Sequence, residues 1–203
     1  MEMPQLYLIT PPQIDLGSFP TVLAGILDAH ESACVRLALG ARDEDTVSRA
    51  ADVLREVTHA RDVALVISDH IVLSERLGLD GVHLSDAARS VRDTRKELGD
   101  DAIIGTFCGT SRHDGMAAGE AGADYVSFGP VQAGALDDGS FAPDDLFKWW
   151  SEVIEVPVVA EGALDTGRIR DLTPYTDFFG IGDEIWNTQD PLTELATLIA
   201  AMK

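Results

Sequence analysis

Ala121–Val131 reads Ala-Gly-Ala-Asp-Tyr-Val-Ser-Phe-Gly-Pro-Val. Gly122 closes a preceding helix, because glycine takes the left-handed C-cap conformation without a Cβ clash. A short apolar strand follows from Tyr125 to Phe128, and Gly129-Pro130 ends it. The same phrase stands earlier as Gly78-Leu79-Asp80-Gly81-Val82-His83-Leu84, and more loosely later as Pro174-Tyr175-Thr176-Asp177-Phe178-Phe179-Gly180. Helix, small residue, Asp, buried strand, loop: one βα unit is written several times.

The alternation extends along the whole chain. The pattern predicts strands at Leu6–Thr10, Ala33–Leu39, Ala64–Ser68, Gly81–Leu84, Ala102–Phe107, Tyr125–Phe128, Val156–Ala160 and Phe178–Ile181. Ala64–Ser68 is an unbroken apolar run, as a parallel strand buried on both faces requires. Helices are predicted at Phe19–Ala29, Asp45–Ala60, Ile71–Leu77, Ala87–Leu98, Ser111 to Ala121, Asp144–Glu152 and Thr166–Leu172. Val47, Ala50, Leu54 and Val57 recur at helical spacing behind an acidic N-cap. A last helix opens at Asp190-Pro191, where proline at the first position misses no hydrogen bond. Eight strands alternating with eight helices require a parallel sheet and close into a (β/α)₈ TIM barrel, one domain over 1–203. A doubly wound open sheet would place a glycine-rich loop after the first strand, and Thr10-Pro11-Pro12-Gln13 is not one.

The charge is lopsided: 15 Lys and Arg against 35 Asp and Glu, a net −20. Nucleic acid and anionic membranes need a basic footprint, so neither is expected as a partner. No apolar run approaches the roughly 20 residues of a membrane span. Met1-Glu2-Met3-Pro4 has no basic region before an apolar one, and Cys34 and Cys108 form neither a disulfide framework nor a zinc spacing. The expectation is a cytoplasmic, reduced protein that takes a small-molecule ligand. Whether it is a homo-oligomer is left open.

In such a barrel the chemistry sits at the C-terminal ends of the strands. Those positions hold Gln13, Gly40, Arg42, Asp69, His70, His83, Ser85, Asp86, Cys108, Gln132, Glu161, Gly162, Gly182, Asp183 and Glu184, with Arg36 inside the second strand. The lysines, Lys96, Lys148 and Lys203, lie on helices or the tail, which excludes Schiff-base chemistry. Cys108 has no base beside it and reads as a buried thiol. Phosphate-binding barrels use the turns after the seventh and eighth strands, here Glu161-Gly162-Ala163 and Gly182-Asp183-Glu184. At about 5 Å and an effective dielectric of about 20, each carboxylate–phosphate pair there costs roughly 3 kcal/mol. Asp69, Asp86, Glu161, Asp183 and Glu184 are expected to ring the mouth with negative charge, unless some turn outward as helix caps. His83 with Asp69 or Asp86 is a candidate pair for a divalent metal.

Leu6-Tyr7-Leu8-Ile9-Thr10, Ile67-Ser68-Asp69, Leu79 to Leu84, Gly122 to Pro130 and Val156 to Ala160 fall in the order, and nearly at the spacing, of one family. Over nearly its whole length the chain resembles thiamine phosphate synthases and the related thiazole tautomerases. The resemblance implies a (β/α)₈ barrel and a role in thiamine biosynthesis. The synthase joins an aminopyrimidine pyrophosphate to a thiazole phosphate with Mg²⁺, displacing pyrophosphate. It implies Asp69 as a metal ligand, since the family's third strand ends Asn-Asp and this one ends Ser68-Asp69. The family's basic second strand looks like Arg36, Ala38 and Gly40, and its Mg²⁺ aspartate like Ala88. Its Gly-Gly phosphate turn looks like Gly162-Ala163, and its serine after the eighth strand like Gly182. With cations and metal ligands lost, the expectation is a repurposed homologue, a binder or an enzyme of altered chemistry. Its ligand is expected on Arg36, Asp69, His83, Asp86, Cys108, Glu161, Gly162, Gly182 and Asp183. The alternative is a working synthase.

Overall fold

A computed structural model describes residues 3–41, 43–133 and 139–203. Eight parallel strands close into one barrel in sequence order: β1 (Gln5–Ile9), β2 (Ser32–Leu37), β3 (Ala64–Ser68), β4 (Gly81–Leu84), β5 (Ile103–Phe107), β6 (Tyr125–Phe128), β7 (Val158–Glu161) and β8 (Phe178–Ile181). β1 pairs with β8, Leu6 lying opposite Phe179, and this removes both sheet edges.

The helices outside are α1 (Phe19–Ala29), α2 (Glu44–His59), α3 (Ile71–Arg76), α4 (Val91–Leu98), α5 (Arg112–Ala121), α6 (Asp144–Val153), α7 (Thr166–Leu172), α8 (Asp183–Trp186) and α9 (Pro191–Ala200). Where eight helices were expected, the described residues hold nine. The short α8 is inserted where a loop was read, directly after β8. Other differences have local causes. α2 starts one residue early because Asp43 caps it, accepting the Thr46 amide at 2.9 Å. β2 stops at Leu37, because the Ala38 amide turns to Thr10 Oγ1 at 3.0 Å. α4 cannot begin at Ala87, whose φ of 56° is left-handed; the helix begins at Val91. At α5 the expectations hold: Ser111 caps one end, and Gly122 closes the other with φ 102°.

Each strand buries two faces. Outward residues such as Leu8, Val35, Leu65, Ile104 and Phe128 pack under the helices. Inside the barrel sits a separate cluster of Tyr7, Cys34, Val66, Tyr125 and Val159. Gly105 makes room for it: a Cβ there would lie 1.9 Å from the Tyr125 ring.

The repeated aspartate of the sequence has one structural job. Asp80 Oδ2 accepts the Leu65 amide (2.7 Å), Asp124 Oδ2 that of Ile104 (2.7 Å) and Asp177 Oδ2 that of Val158 (2.8 Å). Each aspartate's own N–H returns a bond to the carbonyl of the same residue, at 3.0, 2.8 and 3.1 Å. These reciprocal latches satisfy strand-entry amides that would otherwise lack partners at the barrel base.

Candidate active site

Above the Tyr125 ring the barrel interior turns polar. Inward alternation along β2 places Arg36 above Cys34, and β4 contributes His83 and β7 Glu161. The Arg36 guanidinium meets Glu161 through both ends of its fork: Nη1 donates to Oε2 at 3.0 Å and Nη2 to Oε1 at 3.2 Å. Nη1 also lies 2.6 Å from His83 Nε2. Arginine has only donors, so Nε2 must accept and the proton of His83 sits on Nδ1. That N–H points to Tyr125 Oη at 3.0 Å, and Tyr125 Oη meets Tyr7 Oη at 2.7 Å. Five side chains thus form one column, Glu161–Arg36–His83–Tyr125–Tyr7, running from the mouth into the core. The Arg36 guanidinium carbon also lies 5.8 Å from the Tyr7 ring centroid.

Burial and charge act together on these groups. Desolvation and the Arg36 charge hold His83 well below the usual imidazole range, so it stays neutral. Burial works against the charge of Arg36, but Glu161 together with Tyr7 and Tyr125 more than offsets it and keeps the guanidinium protonated. Burial pushes Tyr7 and Tyr125 above the ordinary phenol range. Glu161 accepts one hydrogen bond from each of two Arg36 nitrogens and His83 a third, which leaves two guanidinium N–H groups without an acceptor among the described residues. One is the buried Nε–H.

The column opens into a cavity of about 180 Å³ lined by Arg36, Asp69, His83, Ser85, Phe107 and Glu161. Asp69 carries a left-handed φ of 59° and continues the strand ladder, its N–H donating to the His83 carbonyl at 3.0 Å. Its Oδ1 accepts the Ser85 amide at 2.8 Å; among the described residues its Oδ2 has no hydrogen bond. Backbone held this way at a strand end is costly and is found at functional sites.

The structure corrects the acidic ring. Of the five carboxylates expected there, only Asp69 and Glu161 line the cavity. Asp86 accepts Ser90 Oγ at 2.6 Å and lines a neighbouring hollow with Cys108. Asp183 is exposed on α8. Glu184 turns to backbone amides, its Oε1 accepting Leu164 N–H at 3.0 Å and its Oε2 Gly182 N–H at 2.8 Å. Gly162, with φ 80°, and Gly182 shape the turns after β7 and β8 but lie outside the cavity lining. The His83 metal pairing is also corrected, since both ring nitrogens already have protein partners. Cys108 is 3% exposed and its thiol is pushed up to about 12 by burial, as an inert thiol should be. Arg42, and residues 134–138 in the loop after β6, lie outside the described residues.

Among the described residues no three of His, Cys, Asp and Glu cluster as metal ligands. Mg²⁺ commonly binds one or two carboxylates plus substrate phosphates, and Asp69, with one oxygen unengaged among the described residues, would be the residue to hold it. Reading the residues one by one placed Tyr7 and Tyr125 in strands and did not single them out. Their period-2 placement inside the barrel, in line with Arg36 and Ser127, was the available signal.

No helix among the described residues is long and apolar enough to cross a membrane. The family model described as thiamine monophosphate synthase matches residues 6–175. The chain is 40% identical over 185 residues to a thiamine-phosphate synthase of Rhodospirillum centenum, covering 90% of this chain and 89% of that protein. It is 31% identical over 206 residues to a thiamine-phosphate synthase of Haloarcula marismortui, covering 98% and 96%. A thiamine phosphate pyrophosphorylase structure from Pyrococcus furiosus superposes with a TM-score of 0.83 at 19% identity, covering 98% of this chain and 95% of that one. With its barrel, its strand-end motifs and this full-length similarity, the chain belongs to the thiamine monophosphate synthase family.

Proposed function

We propose that the protein is a working transferase of the thiamine phosphate synthase kind, joining an aminopyrimidine pyrophosphate to a thiazole. The observation that carries the reading is a 40% identity to a thiamine-phosphate synthase that spans nine-tenths of both chains. The depleted basic shell argued for a repurposed homologue, but the geometry removes much of that argument. Arg36 is held rigid by Glu161 and His83, and beyond its buried Nε–H it keeps one Nη2 N–H for a ligand. In the reaction the bond from the pyrimidine methylene to pyrophosphate oxygen breaks, its electron pair leaving on pyrophosphate. The thiazole nitrogen lone pair forms the new C–N bond. Arg36 lies at the cavity floor and faces the developing negative charge without reorganising, which is where a fixed donor contributes most. Asp69 would hold Mg²⁺, which when bound neutralises pyrophosphate charge. Phe107 and the closed floor below Arg36 limit water on the inner side.

A second reading is favoured by one observation: the charged groups lining the cavity, Arg36, Asp69 and Glu161, carry one more negative charge than positive. A non-catalytic binder of cationic thiazolium compounds fits that balance. Incubation with aminopyrimidine pyrophosphate, Mg²⁺ and either thiazole phosphate or the thiazole alcohol separates the two, with pyrophosphate release and thiazolium product both measured. The synthase reading expects turnover of about 1 per second with at least one acceptor. No product with either acceptor, together with thiazolium binding that weakens with salt, establishes the binder instead.

A further inference from the structure

Glu184 stands where this fold often holds a phosphate. Barrels of this class form an anion site from the turns after β7 and β8 and the start of a short extra helix, and α8 is such a helix. Here the Glu184 carboxylate bridges the two turns. One oxygen accepts the Leu164 amide of the β7 turn and the other the Gly182 amide of the β8 turn. Glu184 is half-buried, and its backbone is fixed in α8 beside the buried Ile185. No cation belongs to either turn: residues 161–165 read Glu-Gly-Ala-Leu-Asp and residues 181–185 read Ile-Gly-Asp-Glu-Ile. The adjacent Arg168 is already paired with Asp144. A phosphate arriving here would have to displace the Glu184 carboxylate from both amides.

We propose that Glu184 is a specificity-determining residue, an internal stand-in for the ligand phosphate. The thiazole acceptor of this enzyme then carries a free hydroxyethyl arm rather than a phosphate ester. The inference rests on the transferase reading above. Bond changes at the reacting atoms are the same with either acceptor: pyrophosphate leaves with the C–O electron pair and the ring nitrogen supplies the new bond. Only the arm differs, and the product is an unphosphorylated thiazolium. A neutral arm leaves Glu184 in place, and the positive product sits beside carboxylates instead of a displaced anion.

The test compares kcat/KM for thiazole alcohol and thiazole phosphate in the wild-type protein and in Glu184→Ala. The wild type is expected to favour the alcohol by about tenfold or more, and Glu184→Ala to shift that ratio toward the phosphate by about 100-fold. A wild type that prefers the phosphate, or a ratio unmoved in the variant, overturns the proposal. Titration with inorganic phosphate, followed on the Gly182 and Leu164 amide signals by NMR, decides the matter independently of turnover. These signals should stay still in the wild type and move in the variant; equal movement in both overturns the proposal. If neither acceptor is coupled, the transferase reading fails, while the phosphate titration still shows whether Glu184 blocks the turns. Should Glu184→Ala not fold, Glu184→Gln keeps the size, loses one acceptor oxygen, and is expected to shift the same readings in the same direction by less.

Discussion

The base of the barrel and its mouth solve the same problem in different ways. At the base, strand-entry amides need partners, and Asp80, Asp124 and Asp177 answer with the same two-bond latch. At the mouth, carboxylates also meet backbone amides, but no two do so alike. Asp69 takes the Ser85 amide from a left-handed backbone, Glu184 bridges two turns, and Glu161 leaves backbone altogether for Arg36. Repetition marks the end that holds the fold, and irregularity marks the end where chemistry is placed. The base should therefore respond to mutation in stability and the mouth in activity.

Arg36 should break that division most severely, because it serves both. Arg36→Ala leaves Glu161 buried without its partner. It is expected to cost about 3–5 kcal/mol in urea unfolding and roughly 1000-fold in coupling rate. The double replacement Arg36→Met with Glu161→Met should return stability to within about 1 kcal/mol of the wild type, yet stay inactive. Recovered activity in the double variant would remove Arg36 from the chemistry.

Asp124→Ala sharpens the other side. It strips the Ile104 amide of its acceptor and Arg95 of its ion pair at 2.6 Å. About 1–3 kcal/mol of stability should be lost with turnover per folded molecule unchanged. Asp124→Asn keeps an acceptor oxygen and should lose less. A change in KM for either substrate would show that the base communicates with the mouth.

His83 gives a smaller, pH-dependent effect. Its folded pKa is depressed, so the unfolded chain binds the proton that the folded chain refuses. Stability is level above the unfolded value of about 6.5 and falls as pH drops below it, by at most about 1.4 kcal/mol per pH unit. His83→Gln, which can still accept from Arg36 and donate to Tyr125, should flatten the slope between about pH 6.5 and 5. An unchanged slope would mean that His83 is protonated in the folded state. The smallest expected response is that of the thiols. Burial pushes both Cys34 and Cys108 up to about 12. Neither should react with an aromatic disulfide at pH 8 until the protein unfolds, and rapid labelling of native Cys108 would reopen it as a nucleophile.

The contrast between the two ends also explains what could be read from residues alone. Asp80 and Asp124 were visible as a repeat, because the same local geometry recurs after each helix and selection of the same residue leaves a pattern. Barrel closure, the Gly122 cap and the Asp190 cap were legible for the same reason. The partner of a mouth carboxylate depends on which strand ends stand beside it, and that is a property of the closed barrel. Glu184 looked like one more rim acid, yet it faces amides twenty residues away in sequence as well as its own turn. Glu161 and Arg36 are separated by 125 positions, so no local spacing announces their pairing.

The three latches have an order that bears on how such a chain could be cut and rejoined. Each ties an odd-numbered strand to the even-numbered strand after it: β3 to β4, β5 to β6 and β7 to β8. Among the described residues no carboxylate accepts a strand N–H across β2–β3, β4–β5 or β6–β7. From β3 to β8 the circle is thus three stitched two-strand modules separated by plainer seams, and among the described residues β1 and β2 share no such latch. New chain ends, or a swapped module from a relative, should be tolerated best when the break falls in a helix lying across a seam.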